Sequence, residues 1–132
     1  MMARNKEISK NPIGNCEDDK NTLFNRELSF LSFNYRVLEE SCSEKVPLLQ
    51  KVNFLSISAS NLDEFYMIRV AGIKDQIRSG KGNNITDDGL SLNEQDSLIR
   101  KSVNSFLDKQ NNCWVNIKNK LSKERIDIIT IE

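Results

Sequence analysis

The 132-residue sequence contains no histidine. That removes Ser–His and Cys–His catalysis from what the chain can perform alone. Its three cysteines, Cys16, Cys42 and Cys113, are odd in number and widely spaced. They form no CxxC pair and have no histidine to complete a zinc site, so three reduced thiols are expected. No GxxxxGKS/T or GxGxxG loop occurs. The glycine-rich "GKGNN" at 80–84 lacks the spacing of a phosphate cradle and reads as a flexible turn. Charge of one sign is missing as well, because 19 Lys+Arg balance 19 Asp+Glu. A nucleic-acid binder needs a basic face to neutralise phosphates, so no nucleic-acid partner is expected, although a local basic patch stays open. No apolar run approaches a membrane span, and no hydrophobic signal core opens the chain, which makes a cytoplasmic location the expectation.

What is present is a soluble mixture, 38% hydrophobic and 29% charged, in a length that suits one domain. Residues 1–21 are polar, carry Pro12 and Gly14, show no period and read as a disordered tail. A helical domain is expected over 22–123. Leu28, Leu31, Tyr35 and Leu38 recur at helical spacing, and Phe30, Phe33 and Val37 widen that stripe. A helix with so broad an apolar surface is covered on two sides, and it should end near Ser41–Ser43. Pro47 suits the first turn of a second helix, with Leu48, Val52, Leu55 and Ala59 on one face. A third segment carries Leu62, Phe65, Tyr66, Arg69, Ile73 and Ile77. Residues 79–90 form a loop by composition. A long helix follows, opened by a Ser91/Glu94 capping box, with Leu92, Ile99, Val103, Phe106, Cys113, Ile117 and Leu121 in a heptad-like stripe interrupted by Gln110. A helix of that length can outreach its neighbours. The fold class is all-α: a small antiparallel bundle of three to four helices with one long C-terminal helix. Residues 124–132 contain Ile126, Ile128, Ile129 and Ile131, which look like a strand with no partner in the chain. They are expected to begin a following β-containing domain, or else to stay an unpaired tail.

The stretch "SISASNLDEF" at 56–65 places three serines and an asparagine between apolar segments. Ser60 with Asp63, and Asn61 with Glu64, stand at the capping-box interval, and acidic residues suit a first turn. A break with a fresh helix start near Asn61 is therefore expected. Two features go beyond capping. Ser56, Ser58 and Ala59 are small enough for another backbone or a flat ligand to approach. The amide of Asn61 can match the polar edge of a nucleobase.

The segments "ELSFLSFNYRVL", "FLSISASNLDEF" and "RVAGIKDQ", in that order between Asn25 and Gln76, resemble the N-terminal domain of the bacterial polyphosphate kinase family, the long form that carries a catalytic phosphohistidine. The helix at 91–123 agrees in type only, and the tail before Asn25 shows no likeness. The resemblance implies a four-domain parent that reversibly moves the terminal phosphate of ATP onto inorganic polyphosphate. It implies that the phosphoryl-accepting histidine and the magnesium ligands lie outside this chain, which then holds no catalytic and no metal-binding residue and is inert alone. It implies ATP or ADP as partner, polyphosphate through the other domains, and a homo-oligomeric parent, cytoplasmic or peripheral to the inner membrane. In the family the asparagine before "LDEF" contacts adenine, a role that falls on Asn61. No ligand role passes to Arg69, Arg26 or Arg36; an ion pair of Arg69 with Asp63, Glu64 or a neighbouring helix is the alternative. Phe30, Phe33, Tyr35, Phe65 and Tyr66 read as core rather than adenine stackers. A non-catalytic interaction module remains a second reading. A helix-turn-helix DNA binder is disfavoured by the zero net charge.

Overall fold

A computed structural model of the protein describes residues 25–131; the tail expected at 1–21 lies outside them. The first helix, α1, spans Arg26–Cys42. Asn25 starts it: its backbone is extended, and its side-chain oxygen accepts the Leu28 N–H at 2.9 Å. Glu27 in the first turn suits the positive end of the dipole. The next helix, α2, covers Leu48–Phe65 and begins directly after Pro47, which precedes rather than occupies the first turn. A π-helical turn at Tyr66–Val70, a short helix α3 at Ala71–Gln76 and a second π-turn at Ile77–Lys81 continue α2 as one rod. Gly80 closes that rod with a φ of 88°, a conformation open mainly to glycine. The last helix, α4, runs over Leu92–Lys123 from a complete Ser91/Glu94 capping box.

The break expected at Ser60–Asn61 does not exist; α2 passes straight through both residues. Leu55, Ser58, Leu62 and Phe65 all face the core, and burying that continuous stripe outweighs the local capping signals. The hydroxyl of Ser58 donates back to the Leu55 carbonyl at 2.8 Å. The small side chains let other helices come close, as expected: Ser58 meets Asn34 of α1, while Ser56 and Ala59 line a groove against the last helix.

The π-turn at Tyr66–Val70 solves a phase problem. From Phe65 the next buried residue is Val70, five positions on, where an α-helix needs three or four. The Ala71 N–H reaches back to the Tyr66 carbonyl, the i→i+5 bond that absorbs the extra residue. Arg69, which the simple spacing puts on the apolar stripe, is thereby turned outward.

The three rods pack up–down–up. Facing pairs show that α1 and α4 run parallel: Gln95 donates to Glu27, Tyr35 meets Phe106 edge-on at 6.4 Å, and Lys109 pairs with Glu39. The rod Leu48–Lys81 runs the other way between them. It is about as long as α4, roughly 50 Å at 1.5 Å per residue, whereas the 17-residue α1 is about half that, so α4 outreaches α1 but not the rod. Every residue of the expected α4 stripe is buried, with Phe106, Ile99, Ile117 and Leu121 at 2% exposure or less.

Cys42 and Cys113 are joined by a disulfide across α1 and α4, with their Cα atoms 5.8 Å apart. This corrects the expectation of free thiols for Cys42 and Cys113; Cys16 lies outside the described residues. The pair is far apart in sequence, and only the parallel register brings the two positions together. Closing so long a loop removes about 4 kcal/mol of unfolded-chain entropy. Beside the bridge, the Glu44 carboxylate receives the Lys120 ammonium at 2.9 Å and lies 3.8 Å from Lys51. The hydrogen bond and charge of Lys120, then the charge of Lys51, hold the Glu44 carboxyl below its ordinary range.

The isoleucine-rich end forms no strand among the described residues. An all-helical body offers it no edge to pair with. Instead the Ile126 N–H returns to Leu121 and the Arg125 N–H to Ser122, with Arg125 at φ 61°, a left-handed close to α4. No helix among the described residues is long and apolar enough to cross a membrane.

Candidate functional site

The apolar stripes leave one cleft between α1 and the rod, beside the π-turn. Arg26, Glu27 and Phe30 of α1 form one wall. Asn61, Glu64, Phe65, Ile68 and Arg69 form the other, at the helical spacing that puts them on one face. Its volume is about 380 Å³, inside the ~300–1,000 Å³ range of small-molecule pockets. The floor is aromatic: Phe30 and Phe65 stack with centroids 5.3 Å apart and planes 9° from parallel.

The rim carries two arginines and two glutamates. Glu27 is largely spent, accepting from Gln95 Nε2 at 2.9 Å and facing Arg69 at 3.7 Å. Arg69 thus makes its ion pair with a neighbouring helix, and its half-exposed side chain keeps further donors at the rim. Exposed pairs of this kind contribute little stability. Arg26 is exposed at the mouth, and Arg36 stands elsewhere on α1, outside the cleft.

Asn61 reaches the cleft from the middle of α2. Its Nδ2 donates to Asn34 Oδ1 at 3.2 Å. Asn34 is fully buried and donates its own Nδ2 to the Ser58 carbonyl at 2.9 Å. That carbonyl oxygen can only accept, so the Asn34 nitrogen must face it and the Asn34 oxygen must face Asn61. The Asn61 oxygen is then the atom left over; no hydrogen bond among the described residues uses it.

The aromatics divide. Phe65 is core, and Phe30 and Tyr35 pack partly against it. Phe33 is 52% exposed and Tyr66 37%, so these two are not core residues as expected. Asn34 escaped the sequence reading, although it stands at helical spacing between Leu31 and Leu38. The described residues hold no group of three His, Cys, Asp or Glu side chains able to take a metal ion.

The family model for the polyphosphate kinase N-terminal domain matches residues 23–129. A polyphosphate kinase of Erythrobacter litoralis is 44% identical over 105 residues, which cover 80% of this chain and 14% of that protein. One from Staphylococcus haemolyticus is 48% identical over 86 residues, 65% of this chain and 12% of its own. One from Synechocystis is 44% identical over 104 residues, 78% of this chain and 14% of its own. The chain therefore spans about one-seventh of the length of these relatives. No solved structure matches it. With a cleft walled by the quoted motifs and a match across nearly all described residues, the chain belongs to the polyphosphate kinase N-terminal domain family.

Proposed function

We propose that this domain supplies the adenine side of the ATP site in a polyphosphate kinase, which moves the terminal phosphate of ATP reversibly onto inorganic polyphosphate. The observation that carries the reading is the Asn61 amide, held in the wall of an aromatic-floored cleft with its oxygen unspent. A nucleobase has flat apolar faces and a polar edge, and this cleft offers a flat floor and one fixed polar atom. The chain has no histidine, so the phosphoryl-accepting group comes from the rest of the enzyme. Magnesium, which would hold the phosphates when bound, would take its ligands from the rest of the enzyme, because the described residues hold no cluster of three His, Cys, Asp or Glu side chains. The domain's own contribution is to position the base.

The test is Asn61→Ala in the full-length enzyme. Loss of one hydrogen bond to a bound base costs roughly 0.5–1.5 kcal/mol, so KM for ATP should rise up to about tenfold with kcat little changed. An unchanged KM would overturn the reading. Asn61→Asp is the poorer probe, because its carboxylate would face the buried Asn34 oxygen.

A second contribution, contact with another domain or subunit, is supported by apolar surface at Met67, 77% exposed, and Ile129, 82% exposed.

A further inference from the structure

We infer that Asn34, which touches no ligand, is the positioning residue that makes Asn61 a hydrogen-bond acceptor and thereby selects a base bearing an amino group on its edge. The inference rests on the proposed role of Asn61 and goes beyond it to the direction of the contact.

An asparagine side chain offers an oxygen and a nitrogen in nearly the same shape, so a free Asn61 could turn either one toward a base. A base with a 6-amino group needs an acceptor there; a base with a 6-oxo group needs a donor. An Asn61 able to rotate would serve both. The chain of donations Asn61 → Asn34 → Ser58 carbonyl removes that freedom. The Ser58 oxygen anchors the Asn34 nitrogen at 2.9 Å, and the Asn34 oxygen then anchors the Asn61 nitrogen at 3.2 Å. Reversing Asn61 would put two oxygens face to face and leave a fully buried group unpaired, at a cost of about 1–3 kcal/mol. Burial makes this relay stiff: Asn34 and Ser58 are both at 0% exposure, so no water can replace a lost partner. The small, fully buried Ser58 leaves room for α1 to bring Asn34 that close. Ser58, the buried serine of that stretch, is thus explained by the seat it provides for a second asparagine.

The experiment compares ATP with inosine triphosphate, whose 6-oxo group accepts where the adenine amino group donates. The enzyme is the full-length form, wild type and Asn34→Leu, a substitution of similar shape with no polar atoms. Wild type should favour ATP. In Asn34→Leu, kcat/KM for ATP should fall about three- to tenfold while that for inosine triphosphate stays level or rises. The shift should lie in KM, not kcat. Leu38→Ala, a core truncation one turn along α1, serves as the structural control and should keep the wild-type ratio. An unchanged ratio in Asn34→Leu, or an equal change in Leu38→Ala, overturns the inference. Should Asn34→Leu not fold, Asn34→Ala is read the same way. The wild-type enzyme adds an arm that needs no variant: N6,N6-dimethyl-ATP, which has no amino hydrogen to donate, should show a KM about tenfold above that of ATP. Equal use of the two also overturns the inference. If Asn61→Ala leaves KM for ATP untouched, the function itself fails; if only the Asn34 variants behave like wild type, the function stands and the relay falls.

Discussion

Asp88 joins a loop to a helix start through hydrogen bonds that its charged form alone can accept in full. Thr86 Oγ1, Asn25 Nδ2 and the Leu90 N–H all donate to it. Burial pushes the carboxyl up, but these donors outweigh it and hold the group below its ordinary 3.8. A depressed carboxyl stabilises the fold above the unfolded value and loses that contribution as pH falls through the folded one. Stability of the wild type should therefore drop below about pH 4. Asp88→Ala should cost about 1–3 kcal/mol at pH 7 and lose less than wild type between pH 5 and 2, measured by urea unfolding. A constant gap between the two proteins across that range would refute the assignment. At this scale legibility was uneven. Asn61 stood out in the sequence because it interrupts an apolar run. Asn34 did not, because Tyr35 beside it kept the stripe apolar, and nothing local shows that an amide will be fully buried. Its partner is 27 positions away, and only helix packing brings the two together.

Among the elements, three capping signals with the same spacing met different fates. Ser91 and Glu94 form a real box, because Gly89 at φ 86° has already turned the chain and no helix precedes them to continue. Ser60–Asp63 and Asn61–Glu64 form none, because α2 enters from Leu55 with its stripe unbroken. The π-turns had no legible signal at all: a five-residue step between apolar positions looks like noise until the helix around it is known to be continuous. Its geometry gives a direct test. Five residues of π-turn advance about as far around the axis as four of α-helix. Deleting the exposed Met67 should convert the turn to regular helix and leave Val70 and Ile73 buried. Deleting Ile57, itself exposed, should rotate everything beyond it by about 100° and bury the wrong face. Thermal denaturation should show a cooperative transition for the first deletion and none for the second. Two similar melting curves would mean that the π-turn is not an inserted residue.

For the whole molecule, the all-α class and the α4 stripe were readable from periodicity, while the continuity of the middle rod through Asn61 and the register were not. Parallel α1 and α4 follow from an even number of reversals, but which residue faces which depends on packing. That register decides that Cys42 meets Cys113, and with it the fate of the thiols. The bridge also sorts the chain mechanically. A pull between residues 25 and 131 travels along α1, crosses the sulfurs and leaves through the end of α4; everything from Cys42 to Cys113 hangs as a slack ring beside the line of force. The Phe30 wall of the cleft lies on the loaded path and the Asn61 wall inside the ring, so tension would draw one wall away from the other before it reached either fold element directly. In single-molecule stretching, the oxidised protein should release only the length outside the ring. Reductant should add about 240 Å for the 71-residue separation, at roughly 3.3–3.6 Å per residue. Equal lengths with and without reductant would show that no bridge is there to divert the load.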